Sequence, residues 1–534
     1  NLRDQRRWQC AWPRHDSLSA SLRLDTALLR SVGDMSLDPR TPVLIGAGQA
    51  LDRDTTPATA KHPVALMGEA VTSAFDDAAI ATPSQLDSVR VVRLLSWKYA
   101  NAAHALAEAC GMTARQYATT PHGGNMPQSL VNLTARQISD GQVDLVVLAG
   151  GECARTRSVV KDASALPWPD QNATTTDTAG VAAAEHIIDD LALLNDEEQK
   201  LGIMLPVQHY PMFESALRAA AGRSMVDHDR HIAELWSRFS VVAARNPYAW
   251  SQQSLSPDDV LSVSPENRMI GLPYRKVMNS NNQVNLAAAV VMCSAERAAS
   301  LGVPRDRWIF PWAGTDCHEH QFVSNRWSFA ETPAIQLGGQ RALQLAGLSI
   351  DDIAHIDLYS CFPSAVQLGA ASLGLDLRRQ LTLTGGLSFA GGPWNNYVMH
   401  AIATAMLRLR ESRDEHALIW ANGGYATKHA FGVYATTPPP NGFCHESPQA
   451  AIDALPARQL AIGDDARGAA IIEAYTVMHD RNGAPERLIA AAILADSRRA
   501  WINVADEGLA RDFATGEQVG RRVVLRRSGE LESA

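Results

Sequence analysis

The chain has 534 residues, 46% hydrophobic and 20% charged, the size and make-up of an ordinary globular protein of two or three domains. Its formal net charge of −9 supplies no phosphate-neutralising surface and argues against nucleic acid as a partner. No apolar run approaches the roughly 20 residues of a membrane-spanning helix. The seven cysteines are scattered and never spaced C-x-x-C. That pattern points to free thiols in a reducing, cytoplasmic setting, without a disulfide framework or a zinc site.

Residues 1–38 differ from the rest: they are Arg-rich, lack an apolar h-region and read as no secretory signal. They are expected to be a disordered or untranslated extension, with an organelle transit peptide the less favoured reading because of its aspartates. Residues 41–45 form a β-type run that meets Gly46-Ala47-Gly48, which predicts a strand followed by a tight turn. A dinucleotide fingerprint would need a third glycine opening a helix, and none follows. A helical period over HPVALMGEAVTSAFDDAAI, a β run at 89–95 and an Ala-rich helix to Cys110 come next. Strands alternating with helices imply a layered α/β domain with parallel pairing.

A long-range repeat then stands out. GGNMPQSLVNLTARQISDGQVDLVVLAGGE has a counterpart in GGPWNNYVMHAIATAMLRLRESRDEHALIWANGGY. Each runs from Gly-Gly through a helix to an apolar strand and a second Gly-Gly. Two such units imply two related halves, residues 39–278 and 279–437, that bring two helix starts to one place. Residues 152–275 inside the first half are polar, irregular and helical in period, an inserted subdomain of the kind that caps a ligand site. A Pro-rich linker at 438–455 leads to residues 456–534, where GAAIIEAYTVMHD and ERLIAAAIL flank Asn482-Gly483 as a hairpin. This tail is expected to be a small, partly open β barrel.

Four motifs resemble the thiolase superfamily, in order, over residues 41–437. NSNNQVNLAAAVVMCSAERAASLGV resembles the Asn-rich turn, small-residue strand and Ser-x-Glu-(Arg/Lys)-Ala helix, and VDLVVLAGGE the strand after the nucleophile helix. HIDLYSCFPSAV stands where thiolases carry Asn-Glu-Ala-Phe and sterol-carrier-protein thiolases carry His-Asp-Cys-Phe. TGGLSFAGGPWNN falls on the Gly-Gly…Gly-His-Pro loop. The resemblance is nearest to the sterol-carrier-protein and thiolase-like branch. It implies a five-layer αβαβα fold, coenzyme A thioesters as substrate or ligand with no permanently bound cofactor, and a dimer or tetramer. The β tail resembles the OB-fold subunits of some thiolases, which implies either a built-in module or a complex with a second thiolase-type or OB-type subunit.

Carried over residue by residue, the thiolase machinery is missing. The cysteine nucleophile, which a helix N-terminus activates, falls on Asn125, or on Met126 with a one-residue slip. The activating histidine falls on Gly392, the second cysteine on Ala421, the oxyanion residue on Tyr359 and its acidic neighbour on Ser360. Only Cys361 matches, against the cysteine of His-Asp-Cys-Phe. Candidate catalytic groups are therefore Cys361, His122 before the glycine turn, and His400 on the second helix. Asn125 has a structural reading too, as the cap of a helix with Pro127 in its first turn.

Asp316-Cys317-His318-Glu319-His320 would place His318 and His320 on one face of a strand. With no third ligand at motif spacing, the pair is expected to line a pocket and to hold no metal; Asn395 and Asn396, one helical turn before His400 and facing the glycine loop, are further pocket-lining candidates. Arg467, Arg481, Arg487, Arg521 and Arg522 on the tail are candidates for the phosphates of coenzyme A. Two functions stay open: an acetyl-CoA acetyltransferase-like enzyme of lipid metabolism rebuilt around Cys361, and a non-catalytic protein, either an acyl-CoA or lipid carrier or the inactive partner in a thiolase complex.

Overall fold

The computed structural model describes residues 37–171 and 182–532, so the expected extension at 1–38 falls, but for its last two residues, outside them. The repeat appears as two sheets of matching topology. In the first, Pro42–Leu51, Asn285–Ser294, Leu145–Cys153 and Gln85–Val91 lie side by side, joined antiparallel, antiparallel and parallel. In the second, Phe310–His318, Lys428–Ala435, His416–Gly423 and Ile353–Leu358 repeat that order and sense. The first sheet continues through Thr113–Thr119, whose last two residues pair with Glu185–His186 of the same chain.

Helices Met126–Ser139 and Tyr397–Glu411 pack against each other between the sheets. Both are buried on most of their faces, as a helix walled in by two sheets must be. Pro63–Asp77 and Ala102–Ala109 cover the outside of the first sheet, and Pro333–Ala346 and Pro363–Leu373 that of the second. The result is the five-layer αβαβα arrangement.

The predicted turn at Gly46 and Gly48 is not a turn. Both glycines lie inside the strand Pro42–Leu51, beside a bulge between Leu44 and Gly46. A Cβ at Gly46 would sit 1.9 Å from the Ala74 carbonyl oxygen, and one at Gly48 2.0 Å from that of Ala70. The glycines let the helix Pro63–Asp77 lie directly on the strand, a packing use that periodicity cannot distinguish from a turn.

The described part of the insertion carries helices Pro206–Ala220 and Met225–Arg245, the latter capped by the Ser224 hydroxyl. The C-terminal strands run Arg499–Val504, Pro485–Leu494, Gly468–His479, Arg522–Arg527, Glu530–Leu531. They curl until Gly529 closes on the first, its N–H donating to the Trp501 carbonyl (2.8 Å) and its carbonyl accepting from Asn503 (3.1 Å). This small barrel grips the body. The buried Arg499 donates to the carbonyls of Val323, Ser324 and Arg326 and pairs with Glu473, while Arg218 of the insertion pairs with Glu517.

Candidate functional site

The two Gly-Gly units meet at a cleft of about 460 Å³, lined from both halves and from the insertion. The second-half loop clips the first. Asn395 Oδ1 accepts from the Gly123 N–H (3.0 Å) while its Nδ2 donates to the Arg93 carbonyl (2.9 Å). Asn396 Nδ2 reaches the Gly150 carbonyl (2.6 Å). His122, Tyr359, Cys361 and Asn395 line the cleft; Asn396 sits behind it as part of the clip.

Asn125, on which the resemblance places the nucleophile, begins the helix Met126–Ser139 with helical backbone angles. It does not cap the helix as expected. Its Nδ2 turns along the helix to Ser129 Oγ (3.2 Å), and its Oδ1 is buried without a partner, packed against Gly123 and Gly423. Gly124 lies beneath Tyr359, whose hydroxyl would be 2.3 Å from any added Cβ. At Gly392 a Cβ would meet Ser280 Oγ at 2.3 Å. The Asn-rich turn thus fills the place from which an activating side chain would reach.

Cys361 follows the strand Ile353–Leu358, at a strand end facing the cleft. Burial pushes its thiol up to about 12, against the opposing pull of the Tyr210 hydroxyl and of the Cys361 and Phe362 N–H groups. Tyr210, from the helix Pro206–Ala220, is a hub absent from the sequence expectations. Its hydroxyl accepts from Asn422 Nδ2 and the Ala426 N–H (both 2.9 Å) and donates to the Gly424 carbonyl (3.2 Å). Asn422 keeps a buried, unpartnered Oδ1. Burial, with Lys428 and Arg93 nearby, lowers the pKa of His122, which favours the neutral imidazole. Lys428 is buried, donates to the His122 carbonyl, and has its own pKa lowered by that burial.

The mouth is apolar and wet at once. Leu205 (56% exposed) and Met204 (44%) from the insertion line it together with Trp394 (40%) from the glycine loop. Trp394 holds φ +46°, a left-handed conformation that a bulky residue rarely adopts. The cleft therefore offers a greasy entrance, hydroxyl and amide groups at its base, and no ionised thiol.

Other candidates lie elsewhere. His400 is buried between the sheets, its Nδ1 on Gln49 Oε1 (2.8 Å) and its pKa pushed down to about 3 by burial. Ala421 is buried in its strand beside Asn422, which lines the cleft in its place. His318 ends its strand and faces the Glu319 carbonyl, whereas His320 lies beyond the strand against the Pro456 carbonyl, so the two do not share a strand face. Among the described residues no group of three or more His, Cys, Asp or Glu could hold a metal ion. None of the five tail arginines lines the cleft. Arg521 pairs with Asp512 and stacks on Phe513, Arg487 donates to Asn503 Oδ1 (3.0 Å) and Arg467 to the Arg526 carbonyl (3.3 Å). Arg481 and Arg522 are exposed on the barrel.

Fold and site together define a thiolase-fold protein with the amide of Asn125 at the start of its buried helix Met126–Ser139. The family profile "thiolase-like protein type 1 additional C-terminal domain" matches residues 448–530. A crystal structure of a monomeric SCP2-thiolase like protein type 1 from Mycobacterium smegmatis is similar at 30% identity and TM-score 0.78. That match covers 93% of this chain and 98% of the other. The chain belongs to this family, the SCP2-thiolase-like proteins of type 1.

More distant structures share the fold. An Ltp2-ChsH2(DUF35) aldolase is 18% identical with TM-score 0.54, over 74% of this chain and 98% of that one. The dimeric peroxisomal thiolase of Saccharomyces cerevisiae is 14% identical with TM-score 0.52, over 75% and 98%. No curated protein matches the chain by sequence. Among the described residues no helix is long and apolar enough to cross a membrane.

Proposed function

We propose that the chain binds an acyl thioester of the coenzyme A type in the 460 Å³ cleft and holds it without a covalent acyl-enzyme. The observation that carries this reading is a buried amide, Asn125, where the resemblance would place a nucleophile, beside a cleft that stays open. Acyl transfer of the thiolase kind needs a thiolate and a base to form it. Asn125 provides neither, and Cys361 stays protonated near neutral pH. Leu205, Met204 and Trp394 supply apolar surface for an acyl chain, worth about 25 cal/mol per Å² covered. The unpartnered Asn422 Oδ1 calls for a hydrogen-bond donor, which the amides of a pantetheine arm carry.

A single copy suffices for this site. The similar Mycobacterium smegmatis protein is described as monomeric, and the edge strand Thr113–Thr119 is paired by its own chain at Ala118 and Thr119. Calorimetric titration with acyl-CoAs of rising chain length tests the reading. Affinity should rise with each methylene and fall on Leu205→Asp, which places a charge on the apolar mouth. Equal affinity for free coenzyme A and every acyl-CoA would remove the acyl chain from the account.

A further inference from the structure

A second cleft, of about 600 Å³, shares no lining residue with the first and lies near the short helix Gly386–Phe389. Leu387 of that helix lines the first cleft, and Leu383 just before it lines the second. The walls are the helix Met225–Arg245, residues 378–383 and the last turns of the helix Tyr397–Glu411. Arg238, Arg245, Arg378, Arg379 and Arg408 converge here, with Glu411 the one carboxylate in the lining, in a chain whose formal net charge is −9.

Their partners decide how much of that charge is left for a ligand. Arg408 pairs with Glu411 (2.9 Å) and Arg378 with Asp376 (2.7 Å). Arg238 is held by the neutral Leu377 carbonyl (2.9 Å) and Arg379 by the carbonyls of Ile350 and Ile353. Arg245 is exposed, and its side chain makes no hydrogen bond or ion pair among the described residues. Three guanidiniums thus form no ion pair with a carboxylate, although Glu234 and Asp376 act on Arg238 from nearby, and two of the three are fixed in place by backbone oxygens. Between them the cleft is apolar, with Phe239, Leu381 and Leu383 inside and Val241 (37% exposed) and Leu407 (41%) left uncovered.

We propose that this cleft is a second binding site, distinct from the first, for an amphipathic anion: a carboxylate or phosphate head on a short apolar body. The guanidinium fork matches either head bidentately, and the apolar walls take the body. A bare inorganic ion would leave the hydrophobic half unused.

The test is calorimetry on the full chain with decanoate and decyl phosphate, both below their micelle concentrations, with decanol and inorganic phosphate alongside. Arg238→Glu and Arg245→Glu reverse exposed charges, and unchanged thermal midpoints would show that the fold persists. Each should weaken the anionic amphiphiles by about tenfold or more, the worth of one charged hydrogen bond. Leu407→Asp should weaken them as well, and Leu205→Asp at the first cleft should not. The tighter of decanoate and decyl phosphate identifies the head group. Binding of decanol as tight as decanoate, or of phosphate as tight as decyl phosphate, would overturn the proposal. So would indifference to the arginine reversals, or loss of binding on Leu205→Asp, which would put the ligand in the first cleft.

Discussion

Asn125 and Cys361 carry opposite lessons about reactivity. Replacing Asn125 by cysteine restores a thiol at the helix start, where the N-terminal dipole favours a thiolate. It restores no base, because Gly392 has Ser280 Oγ 2.3 Å from where its Cβ would be and His122 stands in the cleft as a weak base. Asn125→Cys is therefore expected to form little acyl-enzyme. Its thiolysis of acetoacetyl-CoA should stay at background, far below rates on the order of 1–10³ per second, and turnover in that range would contradict the account of the site.

Cys361, with its thiol near 12, should hold about a thousandth of the thiolate of an ordinary cysteine at neutral pH. Iodoacetamide should label it slowly until the protein unfolds, and mapping the labelled peptide at pH 7 reads this directly. Rapid one-to-one labelling of Cys361 in the folded protein would restore the enzyme reading.

At the scale of elements, local order was legible and long-range approach was not. The Gly-Gly, helix, strand, Gly-Gly units are contiguous in sequence, so their repetition and the two-half fold could be read from it. The hairpin at Asn482-Gly483 was legible for the same reason, with Gly483 at φ +85°. Tyr210 and Lys428 could not be found this way: Lys428 meets the His122 carbonyl across 306 residues, and Tyr210 sits in a segment that reads as an ordinary amphipathic helix. The expected cap at Asn125 failed because its side chain bonds Ser129. Gly46 and Gly48 were misread because close helix-on-strand packing and a turn both call for glycine.

That packing makes its own prediction. Gly46→Ala forces a Cβ to within 1.9 Å of the Ala74 oxygen. It should cost about 1–3 kcal/mol or more, the usual range of overpacking, read as a lower urea midpoint. A change within error would mean that the helix Pro63–Asp77 can move away freely.

For the whole molecule, the barrel serves as a buttress beneath the insertion that lines the cleft. Asn503 Nδ2 donates to the Leu201 carbonyl (2.5 Å), Trp501 Nε1 to Ser324 Oγ (2.9 Å), and Arg499 joins the barrel to the 323–326 turn. Arg499→Met leaves three carbonyls without their donor and Glu473 with only the more distant Arg458 (3.8 Å). The expected loss is about 3–5 kcal/mol, the range for breaking a buried charge pair from one side, measured by urea unfolding.

Acidification has a defined sign. His209, His400 and His429 are pushed by burial from 6.5 to about 3, so below pH 6.5 the unfolded chain takes up three protons that the folded one refuses. Glu152, raised by burial to about 7, and Asp357, raised to about 6, act the other way between their ordinary and shifted values. Stability should therefore decline gently with falling pH down to about 4.5 and steeply below it. A thermal midpoint that rises on going from pH 5 to pH 3.5 would contradict this balance.

The central claim is that the cleft holds an acyl thioester without reacting with it, and mass spectrometry of one sample addresses both halves. The full chain is incubated with hexanoyl-CoA, then sprayed once under native and once under denaturing conditions. Expected are a native complex heavier by the whole hexanoyl-CoA and a denatured chain at its unmodified mass. A hexanoyl increment that survives denaturation, or a native spectrum with no complex at all, would contradict it.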